Sequence, residues 1–238
     1  IQSFKIPPNF YFHCMQKRIH LITIDAAGTL IRPWPSVGKV YADVALKYGL
    51  EVNEEIVDSR FYKILGDAQR NQEVTSGEEK DFWKYVVTEV FLPFAKGKEL
   101  TSIFEELWNL FGSGEHWRLA EGAIQTLEEL RKRNYRLAIL SNNDSRLRGV
   151  IRDLGIIDLF EHLFISSELG CEKPDLEIFR AVEAKTQVSS DQILHLGDSH
   201  SRDFTGARNA GWSAILFGRP ALEKDQIFNF PQLLDFLQ

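Results

Sequence analysis

The feature that most constrains the fold is a recurring set of short apolar runs, IHLITI, YRLAIL, HLFIS, ILHL and SAILF. Runs of this length, rich in Ile and Leu, fit strands covered on both faces. Most of the stretches after them, AIQTLEELRKR, SRLRGVIRDLG, DLEIFRAVEAK and DFTGARNAG, carry the helical spacing of apolar residues. Strand and helix in alternation imply an α/β fold with a doubly wound parallel sheet.

One block breaks the alternation. Between roughly Arg32 and Trp117 no strand pattern is evident, and four amphipathic stretches follow one another: VGKVYADVALKYG, EEIVDSRFYKILGDAQR, EEKDFWKYVVTEVFLPFA and ELTSIFEELWNLFG. Asn53, the TSG at 75–77 and Gly97 separate them. An all-helical block after the first strand reads as an inserted cap, residues 32–117, on a core of residues 15–31 plus 118–238. The C-terminal IFNFPQLLDFLQ reads as a closing helix. Residues 1–14, ahead of Met15, read as an extension.

Charge and composition narrow the function. The chain has a formal net charge of −6 with its basic residues scattered, so no basic stripe is available to follow a nucleic-acid backbone. An acidic balance also gives no long-range attraction for anions, so phosphate specificity must come from a few local groups. No run of eighteen apolar residues exists to cross a bilayer, and no membrane partner is expected. Cys14 and Cys171 form neither a disulfide framework nor a metal-type spacing. A cytoplasmic setting is the expectation, with no exported leader.

In open parallel sheets ligands bind beyond the carboxyl ends of the strands. The polar residues expected there are ITIDAAGTL, AILSNND, CEKPD and HLGDSHSRD. Asp25, Gly28 and Thr29 suit a turn, but a carboxylate on a rigid strand end also suits nucleophilic attack on phosphorus. Ser141 and Asn142 suit either an N-cap or the binding of phosphoryl oxygens. Lys173, constrained by Pro174, is a surface lysine or a fixed positive charge for phosphoryl transfer. Asp198 and Asp203 are turn and cap residues or, with Asp25, an oxygen-rich magnesium site.

Taken in order, ITIDAAGTL, AILSN, KPD and HLGDSHSRD resemble the four motifs of the haloacid dehalogenase superfamily, over about two thirds of the chain. The resemblance implies a Rossmann-like core, Asp25 as nucleophile, Ser141 and Lys173 on the phosphate, and Mg2+ held by Asp25, Asp198, Asp203 and the backbone carbonyl of Ala27. It further implies a type-one helical cap and a small phosphorylated substrate, and the C-terminal half resembles the phosphoglycolate-phosphatase-like branch.

Ala27 departs from this pattern. Phosphatases of the family place there a second aspartate that protonates the leaving oxygen, and a methyl group transfers no proton. Three readings follow: a phosphohydrolase with another route for that proton, a carbon–halogen hydrolase that ejects halide and needs none, or a binding protein that keeps the fold. Retention of Asp198 and Asp203 favours the first over the second, because dehalogenases work without metal. Retention of all five polar groups favours hydrolysis over binding alone. Lys63 reads as a solvated helix lysine, His195 as a packed core residue, and His200 as a residue that faces the site. Trp34, Trp83, Trp108 and Trp117 read as a small aromatic core with one or two rings at the substrate mouth.

Overall fold

The computed structural model describes residues 19–71, 79–95, 100–218 and 225–237. The extension at 1–14, Met15, and the separators at 75–77 and 97 lie outside the described residues. No helix among the described residues is long and apolar enough to cross a membrane.

The five apolar runs become the strands β1 (Leu21–Ile24), β4 (Arg136–Ser141), β5 (His162–Ile165), β6 (Ile193–Gly197) and β7 (Ser213–Phe217), with two short strands, β2 (Ile31–Pro33) and β3 (Trp117–Leu119), lying between β1 and β4. A further strand, β8 (Gln226–Ile227), joins them in a six-stranded parallel sheet ordered β5-β4-β1-β6-β7-β8. Alternation along the strands supplies both faces. Ile22, Ile24, Leu137, Ile139, Leu194 and Leu196 pack to one side with residues of α5 (Ala123–Lys132), α6 (Leu147–Asp153) and α10 (Pro231–Phe236). Leu21, Ala138, Leu140 and Ile193 pack to the other with α8 (Leu176–Thr186) and α9 (Gly206–Asn209). A short helix, α7 (Ser166–Leu169), follows β5.

The helical block contains α1 (Val37–Lys47), α2 (Glu54–Asn71), α3 (Glu79–Ala95) and α4 (Thr101–Leu110), which share an apolar cluster of their own centred on Tyr41, Phe61, Val86, Phe91 and Phe104. Local chemistry sets its first corner. Ser36 caps α1 by accepting from the Lys39 N–H at 3.0 Å, and Asn53 Oδ1 accepts from the Ile56 N–H at 2.9 Å at the start of α2. The two helices then cross at Gly38, where a Cβ would lie 2.2 Å from the Glu54 carbonyl oxygen.

Three features depart from the sequence pattern. β2 and β3 pair antiparallel at the base of the helical block, Ile31 opposite Leu119 and Pro33 opposite Trp117. Three residues each, one ending in proline, are too short to show an alternation. The C-terminal segment begins as sheet rather than helix, since α10 starts only at Pro231, whose fixed φ suits a first helical turn. The stretch DFTGARNAG likewise enters its helix through a wide π-type turn at 200–205.

Candidate active site

β1 lies where the chain order reverses, with β4 on one side and β6 on the other. The crevice beyond its carboxyl end is where such sheets bind ligands. Asp25 follows β1 directly and its N–H is fixed by the Leu196 carbonyl at 2.8 Å. Ser141 ends β4, Asp198 follows β6, and Lys173 reaches in from the loop ahead of α8.

Lys173 organises this floor. Its ammonium, 2% exposed, donates to Asp25 Oδ1 at 2.9 Å, Asp203 Oδ1 at 2.6 Å and the Leu140 carbonyl at 2.7 Å. Burial by itself would lower its pKa, but Asp25 and Asp203 outweigh it and hold the charge above the usual lysine range. Asn142 fixes the lysine's loop: its Oδ1 accepts from the Lys173 N–H and its Nδ2 donates to the Lys173 carbonyl, both at 2.8 Å. The Asn142 amide is therefore engaged with the protein, while Ser141, buried at 1% exposure, lines the cavity above.

Among the described residues, Asp25, Asp198 and Asp203 offer carboxylate oxygens within 4.8 Å of one another. Two glycines allow this. A Cβ at Gly28, whose φ is +98°, would lie 2.5 Å from Asp198 Oδ2, and one at Gly197 would lie 2.2 Å from Asp203 Cγ. Burial pushes Asp198 up to about 6, helped by the charges of Asp25 and Asp203. Burial also raises Asp25. It opposes ionisation of Asp203 too, but Lys173 and His195 overcome it and hold that carboxyl well below its usual range. When all three ionise, one ammonium leaves two negative charges uncompensated, a donor set that fits a divalent cation.

His195 is fully buried, as expected of a core residue, yet it also touches the site. Its Nε2 lies 3.1 Å from Asp203 Oδ1 and its Nδ1 lies 2.8 Å from Thr23 Oγ1. An ionised carboxylate only accepts, so Nε2 carries the proton. The Ser199 N–H adds a third bond to Asp203 at 2.8 Å. His200 instead packs on Phe204 and, with Lys63, is absent from the cavity lining; both are exposed.

Above the floor lies a cavity of about 430 Å³ roofed by the helical block. Ala27 opens onto it, as do Trp83, Trp108 and Trp117, whereas Trp34 stands 44% exposed elsewhere. The sequence pattern did not single out the polar groups that tie roof to floor. Trp83 Nε1 donates to Asp144 Oδ2 at 2.9 Å, Arg146 donates to the Trp108 carbonyl at 2.8 Å, and Arg202 donates to Gln69 Oε1 at 2.9 Å. Arg146 is paired with Asp144 at 2.7 Å and stacks 3.4 Å over the Trp108 ring. Only the NND and SRD contexts of these residues hinted at them.

These features define an α/β protein with an acidic, lysine-braced site at the switch point of a parallel sheet. Residues 19–211 match the haloacid dehalogenase-like hydrolase family, and the chain belongs to it. It is 32% identical over 212 residues to the mouse haloacid dehalogenase-like hydrolase domain-containing protein 3, a match covering 86% of this chain and 83% of the mouse protein. Its fold is that of the HAD-hydrolase YfnB from Bacillus subtilis bound to magnesium, with a TM-score of 0.76 and 17% identity over 92% of this chain and 99% of that one. A HAD phosphatase from Thermococcus onnurineus shares it with a TM-score of 0.64 and 23% identity, over 92% and 98%.

Proposed function

We propose that the protein is a magnesium-dependent phosphohydrolase acting on a small phosphorylated molecule through an aspartyl-phosphate intermediate. The observation that carries this reading is the cluster of Asp25, Asp198 and Asp203, in which one buried lysine bridges Asp25 and Asp203. An acidic cluster of this kind suits a site that works with a cation on an anionic substrate. The magnesium-bound YfnB structure supports the same reading by fold.

Asp25 attacks phosphorus from a strand end that cannot swing. Lys173 holds Asp25 and Asp203 at fixed positions and presents its charge to the phosphoryl oxygens, and Ser141 donates to one of them. Asp203, fixed by Lys173, His195 and the Ser199 N–H, has little freedom to move. Asp25, Asp198, Asp203 and the Ala27 carbonyl would hold the magnesium, which neutralises charge on the transferring group. In this reading residues 32–117 act as a cap that closes over residues 15–31 and 118–238.

The test is trapping of the covalent intermediate. With magnesium present, the chain takes up label from a phosphate ester into an acyl phosphate sensitive to hydroxylamine, and Asp25→Asn abolishes labelling and cuts turnover at least about 10⁴-fold. Turnover that survives Asp25→Asn overturns the nucleophile. Ala27 gives one specific ground for a second reading, carbon–halogen hydrolysis. Halide release from a 2-haloacid in the presence of chelator, with no phosphate release, would establish it, and magnesium binding without any turnover would establish a binding protein.

A further inference from the structure

The cavity over Asp25 is aromatic above and ionic below. Phe61, Trp83, Phe104, Trp108, Phe111 and Trp117 line its upper part. Their rings meet in pairs: Phe61 stacks on Trp83 at 6.4 Å, Phe104 meets Trp108 at 6.0 Å, and Phe111 meets Trp117 edge-on at 5.9 Å. Of the cations that line the cavity, Arg146 is paired with Asp144, Lys173 with Asp25 and Asp203, Arg202 donates to Gln69, and Arg32 is exposed. Tyr41 also lines the chamber at 3% exposure. Among the rings themselves a hydroxyl finds no partner, and each buried hydroxyl left unpaired costs about 1–3 kcal/mol.

An independent observation concerns the proton. Ala27 lines the cavity two residues after Asp25, and its methyl group transfers no proton. Asp144 is held between Arg146 and Trp83. Lys173 is locked to two carboxylates. With Ala27 inert and Asp144 and Lys173 so engaged, a leaving group able to depart as its anion is favoured. A phenol ionises near pH 10, roughly the tyrosine value, whereas an alkyl alcohol is nearly as weak an acid as water, about 15.7. The first leaves without assistance far more readily.

We infer that the preferred substrate is an aryl phosphate, the phosphate ester of a phenolic hydroxyl, with its ring seated in the aromatic chamber. The inference rests on the phosphohydrolase reading and names its substrate class. In the first step an Asp25 oxygen forms a bond to phosphorus while the P–O bond to the ring breaks. The electron pair leaves on the phenolate, which takes a proton from water. In the second step water attacks phosphorus, the P–O bond to Asp25 breaks, and inorganic phosphate is released with the free carboxylate. Since Ala27 also removes the usual base for that water, the second step is the slower one.

The experiment compares phenyl phosphate, 1-naphthyl phosphate and glycerol 3-phosphate on the full chain with magnesium, alongside Ala27→Asp. The expected result is kcat/KM at least about 100-fold higher for the aryl esters, the lower end of what a positioned acid supplies. A burst of phenol equal to the enzyme concentration precedes the steady rate. Ala27→Asp raises turnover of glycerol 3-phosphate about 100-fold more than that of the aryl esters. Equal rates on both classes, or an equal gain in both from Ala27→Asp, overturns the inference. A second readout needs no turnover: Trp83, Trp108 and Trp117 line the chamber, so their fluorescence reports binding. Phenylphosphonate is expected to bind at least about 10-fold more tightly than methylphosphonate, from burial of one ring. If no ester turns over, the phosphohydrolase reading fails while this comparison still decides ring recognition; equal affinities overturn it.

Discussion

The floor and the roof of the cavity are built by different physics. On the floor, five polar groups converge from the ends of parallel strands and the loops behind them, and the strand register fixes their spacing. The roof is a set of rings on the helical block and on β3, joined to the floor by the hydrogen bonds of Trp83, Arg146 and Arg202 and by a stacked arginine. Hydrogen bonds and paired charges tolerate little displacement, whereas rings in van der Waals contact tolerate sliding. The difference assigns rigid chemistry to the sheet and adjustable selection to the helices.

The largest effect that tests this contrast comes from the floor. Lys173→Met leaves two carboxylates facing each other in a buried site, and we expect a loss of about 3–5 kcal/mol in urea denaturation with chelator present. A loss no greater than that of an exposed lysine would mean that the floor is as compliant as the roof. Next comes pH. Asp198 titrates at about 6 in the folded chain, above its ordinary value of 3.8. The native state therefore holds this proton more tightly than the unfolded chain, and ionising Asp198 between roughly pH 4 and 6 lowers stability as pH rises. Magnesium relieves that repulsion, so the rise in Tm on adding it should be larger at pH 7 than at pH 5, by differential scanning calorimetry. An equal rise at both pH values would exclude Asp198 from the cation site. The smallest effect belongs to the roof. Trp83→Phe removes one bond to Asp144, which Arg146 still neutralises, and should cost about 1 kcal/mol. A loss as large as that of Lys173→Met would erase the distinction.

Legibility in the sequence follows the same division. Strand ends were readable because buried strands are short apolar runs, so the polar residue after each run had a known place: Asp25, Ser141 and Asp198 all stand there. Lys173 was readable through its proline. The helical block was readable as helices from its periodicity, but not which rings share a chamber, because Phe61 and Trp83 meet only when α2 and α3 pack. His195 shows a different kind of failure. An apolar strand pattern correctly indicated burial, yet the pattern holds no information that Asp203, eight positions later, folds back onto its ring. The β2–β3 pair was invisible because three residues carry no period.

That pair has a consequence for how such a chain can be altered. Pro33 and Trp117 stand opposite each other in a two-stranded pair, so the chain enters and leaves the helical block at one point. Neighbouring strands lie about 5 Å apart, a gap that a two-residue turn closes. The eighty-odd residues between them behave topologically as one long loop. They are a cassette with a single socket, and a different set of helices grafted between Pro33 and Trp117 would meet the same floor of carboxylates.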